Sequence, residues 1–152
     1  MAEISASPAM ERTAVHPSIT PGQISELVDR FYGDVRANAR LGPIFDRELD
    51  GRWDAHLDKM KAFWRSVLLR TGEYRGQPVS AHLRISDIVT DDFGEWLSLF
   101  AAVSGKVFHP EAAPLVDEAA RRIATSLWLS RSRDPFASPP QWSHGGPSQP
   151  GA

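Results

Sequence analysis

Four side chains in this sequence could do chemistry: Tyr32, His56, His82 and Trp96. His82 stands in Pro78-Val-Ser-Ala-His-Leu-Arg, a short segment behind a loop with Gly76 and Pro78. Zinc or di-iron ligation needs further protein ligands at helical spacing. None stands three or four residues after His82, and Asp87 is five away. A single unsupported imidazole suits a metal whose other ligands come from a macrocycle, which means haem. Taken alone, His82 also reads as an ordinary surface histidine.

His56, Tyr32 and Trp96 have polar tips on or beside apolar stripes. On a helical wheel of about 100° per residue, Trp53, Leu57, Met60, Phe63, Trp64, Val67 and Leu68 fill an arc of about 140°, and His56 falls inside it. A histidine there must be neutral and hydrogen-bonded in the core, or face a polar feature or a cavity. Tyr32 lies about 40° beyond the apolar arc of its own stripe, where a tyrosine normally keeps its ring inside and its hydroxyl at water. Trp96 lies on an apolar face, where its indole N–H wants an acceptor that hydrocarbon does not supply.

The elements that must position these residues read as helices. Thr20-Pro21-Gly22-Gln23 is a capping-box start with proline at the first helical position. Ile24, Leu27, Val28, Phe31 and Val35 continue it at helical spacing. Leu41-Gly42-Pro43-Ile44 predicts a turn. A second helix is expected from Trp53 to about Leu69, ended by Thr71-Gly72. Thr90 and Asp91 are expected to cap a third, carrying Phe93, Trp96, Leu97, Phe100 and Val103. A fourth starts near 110–114 and presents Leu115, Ala119, Ile123 and Leu127. No stretch alternates as a strand, so the expected class is all-α with four amphipathic helices.

Composition narrows the function. At 152 residues, 41% of them hydrophobic, the chain is expected to form one domain with a real core. Seventeen basic and 19 acidic side chains give a net charge of −2, which argues against nucleic acid as a partner. The absence of cysteine excludes disulfides, iron–sulfur clusters, thiolate-ligated haem and covalent haem attachment. The first residues lack the apolar core of a signal peptide, and the apolar run 96–103 is too short to span a bilayer, so no membrane association and a cytoplasmic location are expected. Residues 1–17 read as a mobile arm, 18–130 as the folded domain, and 131–152, with five of the twelve prolines, as a disordered Pro/Ser/Gly-rich tail.

Together these residues supply what a haem pocket needs: apolar walls for a flat ring, one imidazole below and donors above. In a dry cavity, phenol and indole donors hold a partly negative diatomic ligand by about 1–3 kcal/mol each when the bond is charge-assisted. Two such bonds would slow its escape by about 10²–10⁴.

The order and spacing of Phe31-Tyr32, Leu41-Gly42-Pro43-Ile44-Phe45, Trp53-x-x-His56, Phe63-Trp64, Tyr74-x-Gly76-x-Pro78-x-x-x-His82-Leu83 and Phe93-x-x-Trp96-Leu97-x-Leu99-Phe100 closely resemble the group III truncated haemoglobins, across residues 25–129. The paired-glycine signatures of the other truncated groups are missing, as this group's pattern expects. The resemblance implies a two-over-two helical sandwich around a non-covalent b-type haem. It puts His82 on the proximal ligand, Tyr32 and Trp96 on the distal donors, and His56 on the histidine beside the ligand's access path. Phe45 matches the phenylalanine packed on the porphyrin face, and Phe63 is expected to line the cofactor. The arm before residue 18 and the tail after 130 depart from the compact family form without removing a pocket residue. Apart from the resemblance, Lys59 and Arg52 flank the second helix's apolar arc on the His56 side. They could pair with haem propionates, or be ordinary solvated charges.

The leading expectation is reversible binding of O₂, with NO or CO as further ligands. A Tyr/Trp pocket favours slow O₂ release, a poor property for bulk transport. A second reading uses the same residues for NO dioxygenation or peroxide handling, with donors polarising an O–O bond and an unidentified reductase supplying electrons. A third is a helical interaction module without haem, which the intact His82 and the polar tips argue against.

Overall fold

The computed structural model describes residues 14–74, 88–131 and 140. Within them the chain forms five helices and no strand: α1 Pro21–Ala37, α2 Leu41–Glu48, α3 Trp53–Leu69, α4 Thr90–Val107 and α5 Ala113–Arg131. The helix α1 packs on α2, α3 and α4, and α4 packs on α5, so α1 with α3 and α4 with α5 form two layers.

The start of α1 follows its sequence. Gln23 N donates to Thr20 Oγ1 at 3.1 Å and Thr20 N to Gln23 Oε1 at 3.0 Å, so two backbone donors are satisfied reciprocally. Its buried stripe is Ile24, Leu27, Val28, Phe31, Tyr32 and Val35.

The expected turn at Leu41-Gly42-Pro43-Ile44 is instead the first turn of α2. Proline at the third helical position costs little, because N–H groups in a first turn have no carbonyl partner within the helix. The actual break is at residues 38–40, where Asn38 Oδ1 accepts from Arg40 N at 2.9 Å and Leu41 N at 2.8 Å. Gly42 is required there: a Cβ on it would lie 2.4 Å from the carbonyl oxygen of Arg36. That close approach seats α2 against the end of α1.

The helix α3 has the expected bounds and stops at Arg70, which takes a left-handed φ of 60°. For α4, the capping oxygen is that of Asp92, where Thr90 and Asp91 were expected. Val89 N donates to Asp92 Oδ2 at 2.8 Å, and Asp92 Oδ1 and Oδ2 also accept from Arg40 at 3.1 and 3.0 Å. Thr90 Oγ1 instead accepts the indole N–H of Trp128 from α5. On α5 the buried residues are Ala113, Val116, Ala119, Ala120, Ala124 and Leu127. Leu115, expected in the core, is exposed, because the stripe runs through its neighbour Val116.

Aromatic rings fill the centre. Phe100 of α4 meets Phe31 of α1 at 5.3 Å and Trp64 of α3 at 5.0 Å between centroids. Docking against this body begins inside the expected arm: Val15 N donates to Leu68 O at 2.9 Å, and Ile19 is buried. Among the described residues no helix is long and apolar enough to cross a membrane.

Candidate functional site

Tyr32 is buried, with 2% of its surface exposed, and not at the boundary its own helix suggests. The cover comes from other elements. Phe45 of α2 lies 6.5 Å from its ring, Trp53 of α3 6.1 Å, and His56 of α3 5.0 Å at an interplanar angle of 90°. Burial pushes the Tyr32 phenol well above its ordinary range, because a phenolate would lose its hydration. At physiological pH it is therefore a hydrogen-bond donor held in an apolar wall.

His56 is half-buried, with Nε2 withdrawn from solvent. The apolar arc of α3 divides into two parts. Met60, Trp64 and Leu68 are buried in the core, while His56, Phe63 and Val67, on adjoining lines of the wheel, are half-buried. The half-buried side of α3 meets α5 across a cavity of about 480 Å³, lined by Phe63, Val67, Ala119, Ile123 and Leu127 with Arg122 and Ser126. Small-molecule and cofactor sites typically measure about 300–1,000 Å³ and are mostly apolar.

The chain after α3 folds back beside this cavity. Tyr74 N donates to Ser66 Oγ at 2.8 Å, Arg65 pairs with Glu73 through two bonds of 2.8 Å, and the Tyr74 ring meets Phe63 at 5.3 Å. Tyr74 is the last described residue before 75–87. His82 lies outside the described residues.

Trp96 on α4 is half-buried, edge-on to Phe31 at 5.1 Å and stacked on Phe100 at 5.8 Å. It joins Tyr32 through Phe31, which touches Tyr32 at 4.9 Å. Phe45 is buried in the core beside Tyr32. Lys59 is exposed, one helical turn before Phe63. Arg52 is also exposed and donates to the carbonyl of Glu48.

Tyr32, His56 and Phe45 thus form one cluster, Trp96 joins it through Phe31, and Phe63 with Lys59 lies farther along α3. Trp53, which the sequence marks only as a member of the apolar arc and of the Trp53-x-x-His56 motif, belongs to the cluster too: its ring centroid lies 6.1 Å from that of Tyr32 and 6.0 Å from that of His56. The spacing Trp53-x-x-His56 was the available signal, since residues three apart share a helix face. Among the described residues no three His, Asp or Glu side chains converge on a metal position.

Fold and site define a small all-α globin. No family model matches the chain. It is 33% identical over 111 residues to Group 3 truncated hemoglobin ctb of Campylobacter jejuni, an alignment covering 71% of this chain and 87% of the relative. A crystal structure of group III truncated hemoglobin from Campylobacter jejuni superposes with a TM-score of 0.72 at 30% identity, covering 78% of this chain and 95% of that one. The chain belongs to the group III truncated haemoglobins.

Proposed function

We propose that the chain holds a b-type haem through His82 and binds O₂ reversibly at the iron, with NO and CO as further ligands. The single observation that carries this is the buried, protonated Tyr32 phenol set edge-on against His56, inside a truncated haemoglobin fold. The cavity between α3 and α5 supports this reading, since Phe63, Val67, Ala119, Ile123 and Leu127 offer apolar walls to a flat, largely hydrocarbon ring. His82 would hold the iron, Phe63 would pack on the ring from the cavity wall and Phe45 from the Tyr32 side, and Lys59, exposed one turn before Phe63, would pair with a propionate. When bound, haem supplies a reducible iron with one coordination position open to a diatomic molecule.

The chain's own groups set how long such a ligand stays. Tyr32 would donate a hydrogen bond from its phenol to the ligand while keeping its proton, and the surrounding rings exclude the water that would compete for that bond. His56 offers a second polar contact on the same side, and Trp96 an indole donor behind Phe31. Replacing Tyr32 by Phe removes one donor and leaves the ring packing intact. Stopped-flow O₂ dissociation from the Tyr32→Phe variant is expected to be about tenfold faster or more, the equivalent of about 1.4 kcal/mol. An unchanged rate would remove Tyr32 from the ligand pocket.

A further inference from the structure

Trp53 occupies the first position of α3, and its indole is held from outside by two residues of other elements. Its Nε1 donates to Asp46 Oδ1 of α2 at 3.0 Å. The Arg36 guanidinium of α1 lies 4.5 Å over the ring, and Arg36 Nε is 3.3 Å from the same Asp46 oxygen. On the inside, the ring contacts Tyr32 and His56. The same indole lines a surface hollow of about 490 Å³ together with Gly51, Arg52, Asp54 and Ala55. One half-buried side chain therefore borders both the solvent and the buried phenol.

The helical turn that carries Trp53 is weakly anchored. Arg52, at the cap position, gives no side-chain bond to the open N–H groups of the first turn. Gly51 precedes it with φ of 72°, a conformation open mainly to glycine. An uncapped first turn frays readily, and fraying here would carry Trp53 and His56 away from Tyr32. Asp46 and Arg36 oppose fraying by holding the indole from outside, beside the Arg52 N–H bond to the Leu49 carbonyl at 2.7 Å and the inner ring contacts with Tyr32 and His56.

We propose that Trp53 is a gate over the Tyr32 compartment, latched shut by Asp46 and Arg36, and that a diatomic ligand passes when the first turn of α3 loosens. The inference rests on the haem-globin reading above, and its kinetic signature differs from that of a ligand donor. A gate obstructs arrival and departure alike, so weakening it raises both rates by one factor and leaves Kd unchanged. A donor such as Tyr32 acts chiefly on departure.

The test uses the full-length, haem-loaded protein and CO, comparing wild type with Asp46→Ala and Trp53→Phe. Asp46 is half exposed, so its replacement leaves the core untouched. Flash photolysis gives the association rate and displacement by NO the dissociation rate. Both are expected to rise together by about tenfold in Asp46→Ala, as for loss of a hydrogen bond to a charged group, and in the same direction in Trp53→Phe. Hydrogen exchange supplies a readout independent of CO. The amides of His56 and Leu57 are expected to exchange faster in both variants, with α4 and α5 unchanged. Equal CO rates in all three proteins, or unchanged exchange at the start of α3, would overturn the latch while leaving the haem reading standing. A rise in dissociation alone would make Trp53 a ligand contact and overturn the gate. A wild-type protein that takes up neither haem nor CO would fail the reading beneath it, and the gate with it.

Discussion

Tyr32 lies on the inner face of α1 with its ring against His56, and burial there removes water as a competitor for its proton. Ionisation is correspondingly suppressed: an ordinary tyrosine titrates near pH 10, and this one titrates higher. The O₂ dissociation rate is therefore expected to show no inflection from tyrosine ionisation up to about pH 10. Stopped-flow measurement across that range checks it, and a break near the ordinary tyrosine value would show that the phenol meets water. The side chain was legible in the sequence as a candidate donor, but its burial was not. A wheel drawn for α1 alone puts Tyr32 at the boundary, because the residues that cover it, Phe45, Trp53 and His56, belong to α2 and α3. The place of Trp53 in the site is hidden for a related reason: as the first apolar residue of a periodic run, it reads as packing.

At the scale of elements, α2 shows how the end of one helix can be built into the next. Gly42 approaches the Arg36 carbonyl so closely that an added methyl would sit 2.4 Å from its oxygen, and that obstacle is backbone. Gly42→Ala is expected to cost about 1–3 kcal/mol, the range for forcing a group into a filled space. Chemical denaturation would measure it, and wild-type stability would contradict the tight seating of α2. Gly42 and Pro43 read as helix breakers in sequence. Both are compatible with a first turn, and the acceptor that makes it one, the Asn38 side chain, precedes it by three residues. Periodicity located α1 and α3 well because their stripes are long and their ends carry strong signals. The weaker stripe of α5, rich in alanine, let Leu115 stand in for Val116. The segment with His82 lies outside the described residues.

Across the whole molecule, one carboxylate ties the α1–α2 corner to the second layer. Asp92 is buried, which by itself disfavours its charge, but the Arg40 guanidinium and the Val89 N–H outweigh burial and hold its carboxyl below the usual range. A depressed carboxylate adds stability that is present above its unfolded-state value, near pH 4, and is lost as pH falls through the folded one. In that window the unfolded chain binds more protons, so stability rises with pH. Asp92→Asn is expected to cost about 1.5–3 kcal/mol at neutral pH, with the deficit shrinking as acid neutralises the wild-type carboxyl. Thermal melts from pH 7 down to pH 3 would show the two curves converging, and a pH-independent gap would assign the loss to packing.

Absorption spectra of the full-length protein, ferric and dithionite-reduced, beside those of His82→Ala test haem binding and its protein ligand together. Haem binding predicts a strong Soret band in the wild type, and the proposed ligation by His82 predicts that it weakens or shifts in the variant. A wild-type protein with no Soret band after haemin is added would contradict this account. So would a His82→Ala variant with an unaltered spectrum, which would take the iron away from His82.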